Sequence, residues 1–203
     1  MGQYYKIVNI KKKQYIKPHT FGDGAKLMEF SSNSIGVLAG LSILLADGNG
    51  RGGGDLHSEN EIIGSWAGDN IVVTGDYADN GKYLPVDKVD RNLYDVASDE
   101  GEDISLKVLD ALFDDRYFFD RFRNDKMDYA DEDVKELIGK KLKEKGLKEP
   151  MAWKVPSSKD VSILYEVNED NDNWSCTCPS FAYNGGKDCK HIKDIKTSQN
   201  LVN

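Results

Sequence analysis

Cys176, Cys178, Cys189 and His191 are the residues of this chain whose types and spacing speak most directly of chemistry. They lie in the run Cys-Thr-Cys-Pro-Ser-Phe-Ala-Tyr-Asn-Gly-Gly-Lys-Asp-Cys-Lys-His, which holds all three cysteines and one of the three histidines of 203 residues. Three thiolates and an imidazole are the donor set of a tetrahedral structural Zn²⁺, a closed site with no position left for a reacting water. The competing reading is a disulfide with a spare thiol, or three ordinary cysteines. An odd count closes no disulfide framework, and the preceding 175 residues contain no cysteine, so the clustering favours the metal.

The elements around the run must bring the four donors to one point. Trp174, Cys176 and Cys178 alternate, so an extended strand would project all three from one face. Gly185 and Gly186 supply a turn. Asp188 is a good N-cap for a short helix that begins with Cys189, Lys190 and His191 and runs to about Lys196. A thiol in that first turn sits at the positive end of the helix dipole, which favours the thiolate. Upstream, Trp153 to Val155 and Val161 to Val167 read as strands, and the turn Asn168 to Asn173 returns the chain into the Cys-x-Cys strand. Phe181, Ile192 and Ile195 are expected beneath the site, and Thr197 to Asn203 is expected to fray.

Cys-x-Cys, ten residues, Cys-x-His resembles the SWIM zinc finger, with Trp174, Pro179 and Phe181 adding to the likeness over roughly Trp153 to Lys196. The resemblance implies bound Zn²⁺ and a role in contacting DNA or a protein partner. The finger segment from Trp174 to Asn203 carries Lys187, Lys190, Lys193 and Lys196 against Asp188 and Asp194. Lys190, Lys193 and Lys196 step three residues at a time along the expected helix and form a candidate phosphate-contacting fan for DNA or RNA. A helix face kept soluble by lysines is the alternative.

The rest of the chain reads as α+β: a mixed module over 1–125, a connecting helix over 126–149, and a ββα zinc-binding module over 150–203. Tyr4 to Ile10 and Gln14 to Lys17 form a hairpin across Lys11 to Lys13, closed by Pro18. Lys26 to Phe30 reads as a short strand, and Ser34 to Ala46 as a core helix in which Gly36 and Gly40 imply close packing. Glu61 to Trp66 and Asn70 to Gly75 read as a second hairpin. Tyr77 to Glu102 reads as a polar loop, followed by an amphipathic helix through Ile104, Leu109, Phe113 and Phe119. Asp131 to Lys145 is a further amphipathic helix, ended by Gly146 and Pro150. Phe21 to Tyr77, with its Phe-Gly-Asp-Gly and Gly-Ser-Trp-Ala-Gly-Asp runs, resembles uncharacterised prokaryotic and phage proteins, which lend it no function.

A second class of function is an enzyme with its site around the glycine-rich loop Asp47 to His57, drawing on Arg51, Asp55, His57 and His19. Asp47, Asn49 and Gly52 suit an EF-hand, but Arg51 and Ser58 fail its fifth and twelfth positions. Gly48 to Gly53 matches Gly-x-Gly-x-x-Gly without a helix following at the right distance. The loop's free N–H groups could cradle an anion, though a loop this rich in glycine is more often a mobile connection. No nucleophile–base pair or nucleotide fingerprint stands out, so a binding protein is favoured over an enzyme.

Composition sets the remaining bounds. The net charge of −8 argues against a surface that binds nucleic acid all over. Between Asp90 and Glu136 lie 16 acidic residues against 7 basic ones, where the acidity concentrates. No run of eighteen apolar residues suggests a membrane span. The first residues have no apolar segment of a secretory signal and no myristoylation pattern, and clustered unpaired cysteines fit a reducing compartment, so a cytoplasmic location is expected.

Overall fold

The computed structural model describes residues 2–50, 52–148, 151–170 and 172–200. The chain divides into two compact units, Met1–Ile138 and Gly139–Asn203, and is α+β. Among the described residues no helix is long and apolar enough to cross a membrane.

The first unit is built on a short twisted sheet. β1 (Tyr5–Asn9) and β2 (Gln14–Ile16) form the expected hairpin, pairing Ile7 with Ile16 and Val8 with Tyr15. Pro18 then opens a 3-10 turn, Pro18–Phe21. Lys26 to Phe30, expected as a strand, is instead part of a second 3-10 turn, Leu27–Ser31. The Glu29 carboxylate accepts the Lys26 backbone N–H and holds the chain in that turn. α1 (Val37–Leu45) is the expected core helix. Gly40 is needed there: a Cβ would stand 2.8 Å from the Phe21 ring and 3.1 Å from a Val108 methyl.

The hairpin expected across Glu61 to Gly75 is half right. β3 (Ile71–Gly75) forms, but pairs antiparallel with β1, Ile7 opposite Val73. Glu61 to Trp66 is a series of turns, because its backbone is used elsewhere. The Gly64 and Trp66 N–H groups donate to the Ile43 and Leu44 carbonyls at 2.7 and 2.8 Å, satisfying the end of α1. Gly64 adopts φ +72 for this, and the fully buried Trp66 donates its indole N–H to Gln14 Oε1 at 3.0 Å.

Tyr77 to Glu102, expected as loop, contains a 3-10 turn at Val86–Lys88 and α2 (Leu93–Glu100), capped where Asn92 Oδ1 accepts from the Asp95 N–H. Strong polarity hid this helix, whose Leu93 and Ala97 pack on Val8 and Tyr15 of the sheet. The Lys6 ammonium lies over the Tyr94 and Tyr15 rings at 3.9 and 4.6 Å and bonds the Ser98 hydroxyl. Burial pushes that ammonium below its usual pKa, against the pull of Asp103. β4 (Glu102–Asp103) then adds parallel to β2, giving the sheet order β3-β1-β2-β4.

The long helix expected through Phe119 is two, α3 (Ser105–Leu112) and α4 (Arg116–Lys126), parted where Asp115 caps α4 by accepting from the Phe118 N–H at 2.7 Å. Phe113, Phe119 and Phe122, all fully buried, meet edge to face with ring centres 5.1 Å from Phe113 in both pairs. Replacing Asp115 with Ala is expected to cost about 1 kcal/mol in urea unfolding, the usual worth of an N-cap; a loss well under half of that would mean the break does not depend on the cap.

α5 (Glu132–Glu144) begins as expected, with Asp131 Oδ1 accepting from the Val134 N–H, and buries Val134, Ile138 and Leu142. The division between the units falls inside it. Gly146, at φ +63, follows its last turn; Pro150 lies outside the described residues. The second unit continues with β5 (Met151–Pro156), β6 (Leu164–Asp170) and β7 (Asn173–Cys176), an antiparallel sheet in the order β5-β6-β7. It closes with α6 (Pro179–Tyr183) and α7 (Lys190–Asn200).

Candidate metal centre

The sheet of the second unit puts Trp153 and Val155, Tyr165 and Val167, and Trp174 and Cys176 on one face, through the pairs Trp153 with Val167, Val155 with Tyr165 and Val167 with Cys176. Val167, Ile192 and Ile195 are buried together with the three cysteines, and Phe181 packs against them. Trp153 and Trp174 stack at 5.6 Å with planes 7° apart. The donors reach the centre from three elements. Cys176 ends β7, Cys178 is the residue before α6, Cys189 immediately precedes α7, and His191 lies in its first turn.

Their ligand atoms all lie within 4.8 Å of one another. His191 turns Nδ1 toward the thiols, 3.7 Å from Cys176 Sγ and 3.9 Å from Cys189 Sγ. A tetrahedral ion with Zn–S of about 2.3 Å and Zn–N of about 2.0 Å holds its donors roughly 3.5–3.8 Å apart. The donor set and its spacing therefore fit zinc, and with three thiols and an imidazole the coordination is closed. Tyr165 lies against the His191 ring, centres 5.2 Å apart. The three cysteines are buried and unpaired.

Electrostatics differ between the thiols. Burial pushes the Cys176 thiol up to about 12, although the Cys178 N–H, 3.4 Å from its sulfur, works the other way. Burial opposes ionisation of Cys178 as well. There the Phe181 N–H, the neighbouring Cys176 and Cys189, and the Ser180 N–H prevail, holding that thiol below its usual value. The amides at the start of α6 thus favour a thiolate. Metal binding must still displace thiol protons, so affinity falls as pH falls.

Several local expectations change. The regular strand ends at Cys176 instead of continuing through Cys178, because Pro179 starts α6 there with Cys178 as its N-cap. Pro179 directly after the second cysteine was the available signal for this helix. α7 starts at Lys190 with Cys189 ahead of it, the Lys193 N–H donating to the Cys189 carbonyl, and Asp188 serves differently. Asp188 Oδ2 lies 2.7 Å from Lys196 Nζ, which stands 4.9 Å over the Trp174 ring. Of the lysine fan, Lys190 and Lys193 are exposed, while Lys196 is half-buried and occupied by that pair. Gly185 and Gly186 do form the turn, at φ +64 and +78. The helix continues to Asn200, past the expected fraying point; residues 201–203 lie outside the described residues.

In the glycine-rich loop, His57 and Asp55 are exposed, and Arg51 lies outside the described residues. The loop folds back on itself, with Asn49 Nδ2 donating to the Ser58 carbonyl. His19 Nδ1 is 3.1 Å from the Asp23 carbonyl oxygen, close to its own turn. Among the described residues, the His, Cys, Asp and Glu side chains gathered closely enough to share a metal are the four of the C-terminal run.

Comparison with known proteins bears on this same stretch. No curated protein and no solved structure matches the chain, and the likeness of Phe21 to Tyr77 to prokaryotic and phage proteins has no support. What does match is the SWIM zinc finger family, over residues 162–193, a span that contains all four donors and identifies a zinc-binding module.

Proposed function

We propose that Cys176, Cys178, Cys189 and His191 ligate one structural Zn²⁺, and that the finger so formed is an interaction module whose exposed α7 face contacts nucleic-acid phosphates. The convergence of the four donors from β7, the start of α6 and the start of α7 carries the first half of this reading. Charge supports the second half. Residues 139–203 hold 11 lysines against 9 acidic residues, so the net negative charge resides in the other unit. Lys190 and Lys193 are solvated and one helical turn apart, placed to meet neighbouring phosphates. Lysine makes point contacts and lacks arginine's planar fork, so little sequence preference is expected. Unpaired buried thiols suit a reducing compartment, and we place the protein in the cytoplasm.

A protein partner is the second reading, favoured by Val161, Ile163 and Leu164, which stand 80%, 47% and 58% exposed ahead of and at the start of β6. One titration separates the two. Zinc-loaded protein is expected to bind duplex DNA or single-stranded RNA at low salt, with an affinity that falls as salt rises. Lys190→Glu together with Lys193→Glu is expected to keep the zinc and lower the salt slope by about 2, one unit for each phosphate contact. Lys196 is left in place, because its pair with Asp188 belongs to the finger's packing. No binding at low salt would move the contact from α7 to the apolar segment and a protein partner, whereas binding with a slope unmoved by the double change would put the phosphate contact elsewhere on the chain, with Lys11 to Lys13 the next place to look.

A further inference from the structure

β3 forms one edge of the first unit's sheet, and part of its outward backbone is unpaired. At one end the Ile10 N–H donates to the Asn70 carbonyl at 3.1 Å, and at the other the Asp76 N–H donates to the Tyr4 carbonyl at 3.0 Å. With Ile7 opposite Val73, these bonds turn the even-numbered residues of β3 toward β1. Ile71, Val73 and Gly75 therefore point their N–H and C=O groups away from the sheet. Gly75 is buried beneath the Gln3 side chain, and its carbonyl accepts from the Ala78 N–H. Among the described residues, the two N–H and two C=O groups of Ile71 and Val73 have no partner.

The other sheet edges carry the features that keep such groups from pairing with another chain. β4 is two residues long and both are acidic, and β5 contains Lys154 and Pro156. β7 is four residues long, with α7 packed against it. β3 has neither charge nor proline: it reads Ile-Val-Val-Thr-Gly, and Val73 is 41% exposed. A hollow of about 300 Å³ lies against it, walled by Val72, Val73 and the exposed Tyr77 and Tyr83. One exposed acid, Asp79, and one exposed base, Lys82, stand on the same wall, so the local charge balances and selects no charged ligand. An uncharged extended strand suits this edge, and β3 is itself such a strand.

We propose that β3 pairs with β3 of a second copy of this chain, antiparallel across a twofold axis at Val72. In that register Ile71 lies opposite Val73 of the second copy, and the two exchange both backbone bonds. The twofold repeats the exchange, so four hydrogen bonds satisfy every free group of Ile71 and Val73 in both copies. An axis at Val73 would set Ile71 against Gly75, which is already covered. At the chosen axis the two Val72 side chains meet as a non-hydrogen-bonded pair, the closer kind, and Ile71 meets Val73 on the opposite face. The interface belongs to the first unit and does not rest on the finger. Long-range charge opposes it: the chain's 35 acidic and 27 basic residues, less the 9 and 11 of residues 139–203, leave 26 and 16 in the first unit. Salt screens that repulsion, so pairing strengthens as ionic strength rises.

Sedimentation velocity of the zinc-loaded full chain is expected to show a reversible monomer–dimer equilibrium. Its dimer fraction should grow with protein concentration, and again between about 0.05 and about 0.5 M salt. In hydrogen exchange the Ile71 and Val73 amides should exchange freely in dilute protein and gain protection where the dimer forms. The Val72 and Thr74 amides, which face β1, should be protected throughout. Val73→Pro removes one donor from each copy, hence two of the four bonds, and spares every bond to β1. It is expected to weaken dimerisation by about tenfold or more. Val73→Thr keeps the N–H and the branched shape, and should stay within about threefold of the natural sequence. Should the proline variant not fold, Val73→Lys, which adds the charge that guards other edges, serves in its place. A chain that stays monomeric at about 1 mM in high salt overturns the proposal and leaves the edge to a strand of another protein. So does a dimer in which the Ile71 and Val73 amides stay unprotected, or one that a folded Val73→Pro or Val73→Lys variant forms undiminished.

Discussion

Cys176→Ser or Cys189→Ser is expected to empty the protein of zinc and to unfold residues 153–196. The size of the effect follows from how little else holds this segment. Its buried apolar side chains are Val167, Ile192 and Ile195, with the Trp153–Trp174 stack, Tyr165 and Phe181 half-covered around them. A core of that size does not offset about 1–2 kcal/mol of backbone entropy for each ordered residue. Structural zinc contributes about 10–16 kcal/mol in comparable small fingers. Without the ion the centre destabilises the fold, because three buried thiols and an imidazole are then packed together with few partners; the Cys176 thiol, pushed up to about 12 by burial, shows how poorly an uncompensated thiolate is accommodated. Serine keeps the size but is a poor zinc ligand, so loss of metal is the expected cause of unfolding. Elemental analysis should give one zinc per natural chain and none in the variants. Hydrogen exchange with and without chelator should show protection lost in β5, β6, β7 and α7 and kept in α1, α3 and α4. Undiminished zinc in both variants would end the ligand assignment. Simultaneous loss of protection in both units would mean that the two fold as one.

What could be read from the sequence was what repeats or clusters. The four donors were legible because cysteine is rare here and confined to one run, and α1 because its apolar residues leave no polar face. The hairpin of β1 and β2 announced itself through Lys11 to Lys13 and Pro18. The failures share a cause. Glu61 to Trp66 has the apolar residues of a strand, but two of its N–H groups, those of Gly64 and Trp66, are taken by the last carbonyls of α1, a long-range demand that no local pattern reveals. α2 was hidden because only Leu93 and Ala97 of its surface are buried, too few for a visible stripe. The division of α3 from α4 was written in Asp115 three residues before Phe118, a cap signal outweighed by the helical spacing of apolar residues on either side of it, from Ile104 to Phe119. At the metal centre, alternation suggested one strand for Cys176 and Cys178, whereas Pro179 ended that strand early. The role of Lys196 lay out of reach, since only folding brings Trp174 and Asp188 to it.

Asp23→Ala is expected to destabilise the first unit by about 3–5 kcal/mol, the usual result of removing one partner from a buried ion pair. The Asp23 side chain has no solvent exposure, and its Oδ1 lies 3.0 Å from the Nζ of Lys126, itself 8% exposed. Its other oxygen accepts the Val37 N–H at 2.7 Å, one of the unsatisfied donors that open α1. One carboxylate therefore ties the Phe21-Gly22-Asp23-Gly24 turn to the start of α1 and the end of α4. It also fits closely: a Cβ on Gly36 would lie 1.9 Å from Asp23 Oδ2, so that glycine is fixed by the carboxylate beside it. Alanine would leave the Lys126 ammonium buried with only the Gly22 carbonyl, 2.8 Å away, to receive it. It would also leave the Val37 N–H without an acceptor. Asp23→Asn should cost less, because an amide oxygen can still accept from Val37 while the charge pair is lost. Combining Asp23→Ala with Lys126→Met should cost less than the sum of the two single changes, since the second removes the stranded charge. Urea unfolding followed at the slowest-exchanging amides of α1 and α4 measures all four variants. A cost below about 1 kcal/mol for Asp23→Ala, or strict additivity in the double variant, would mean that the pair contributes no more than one on the surface and that the turn is held by its aromatic packing instead.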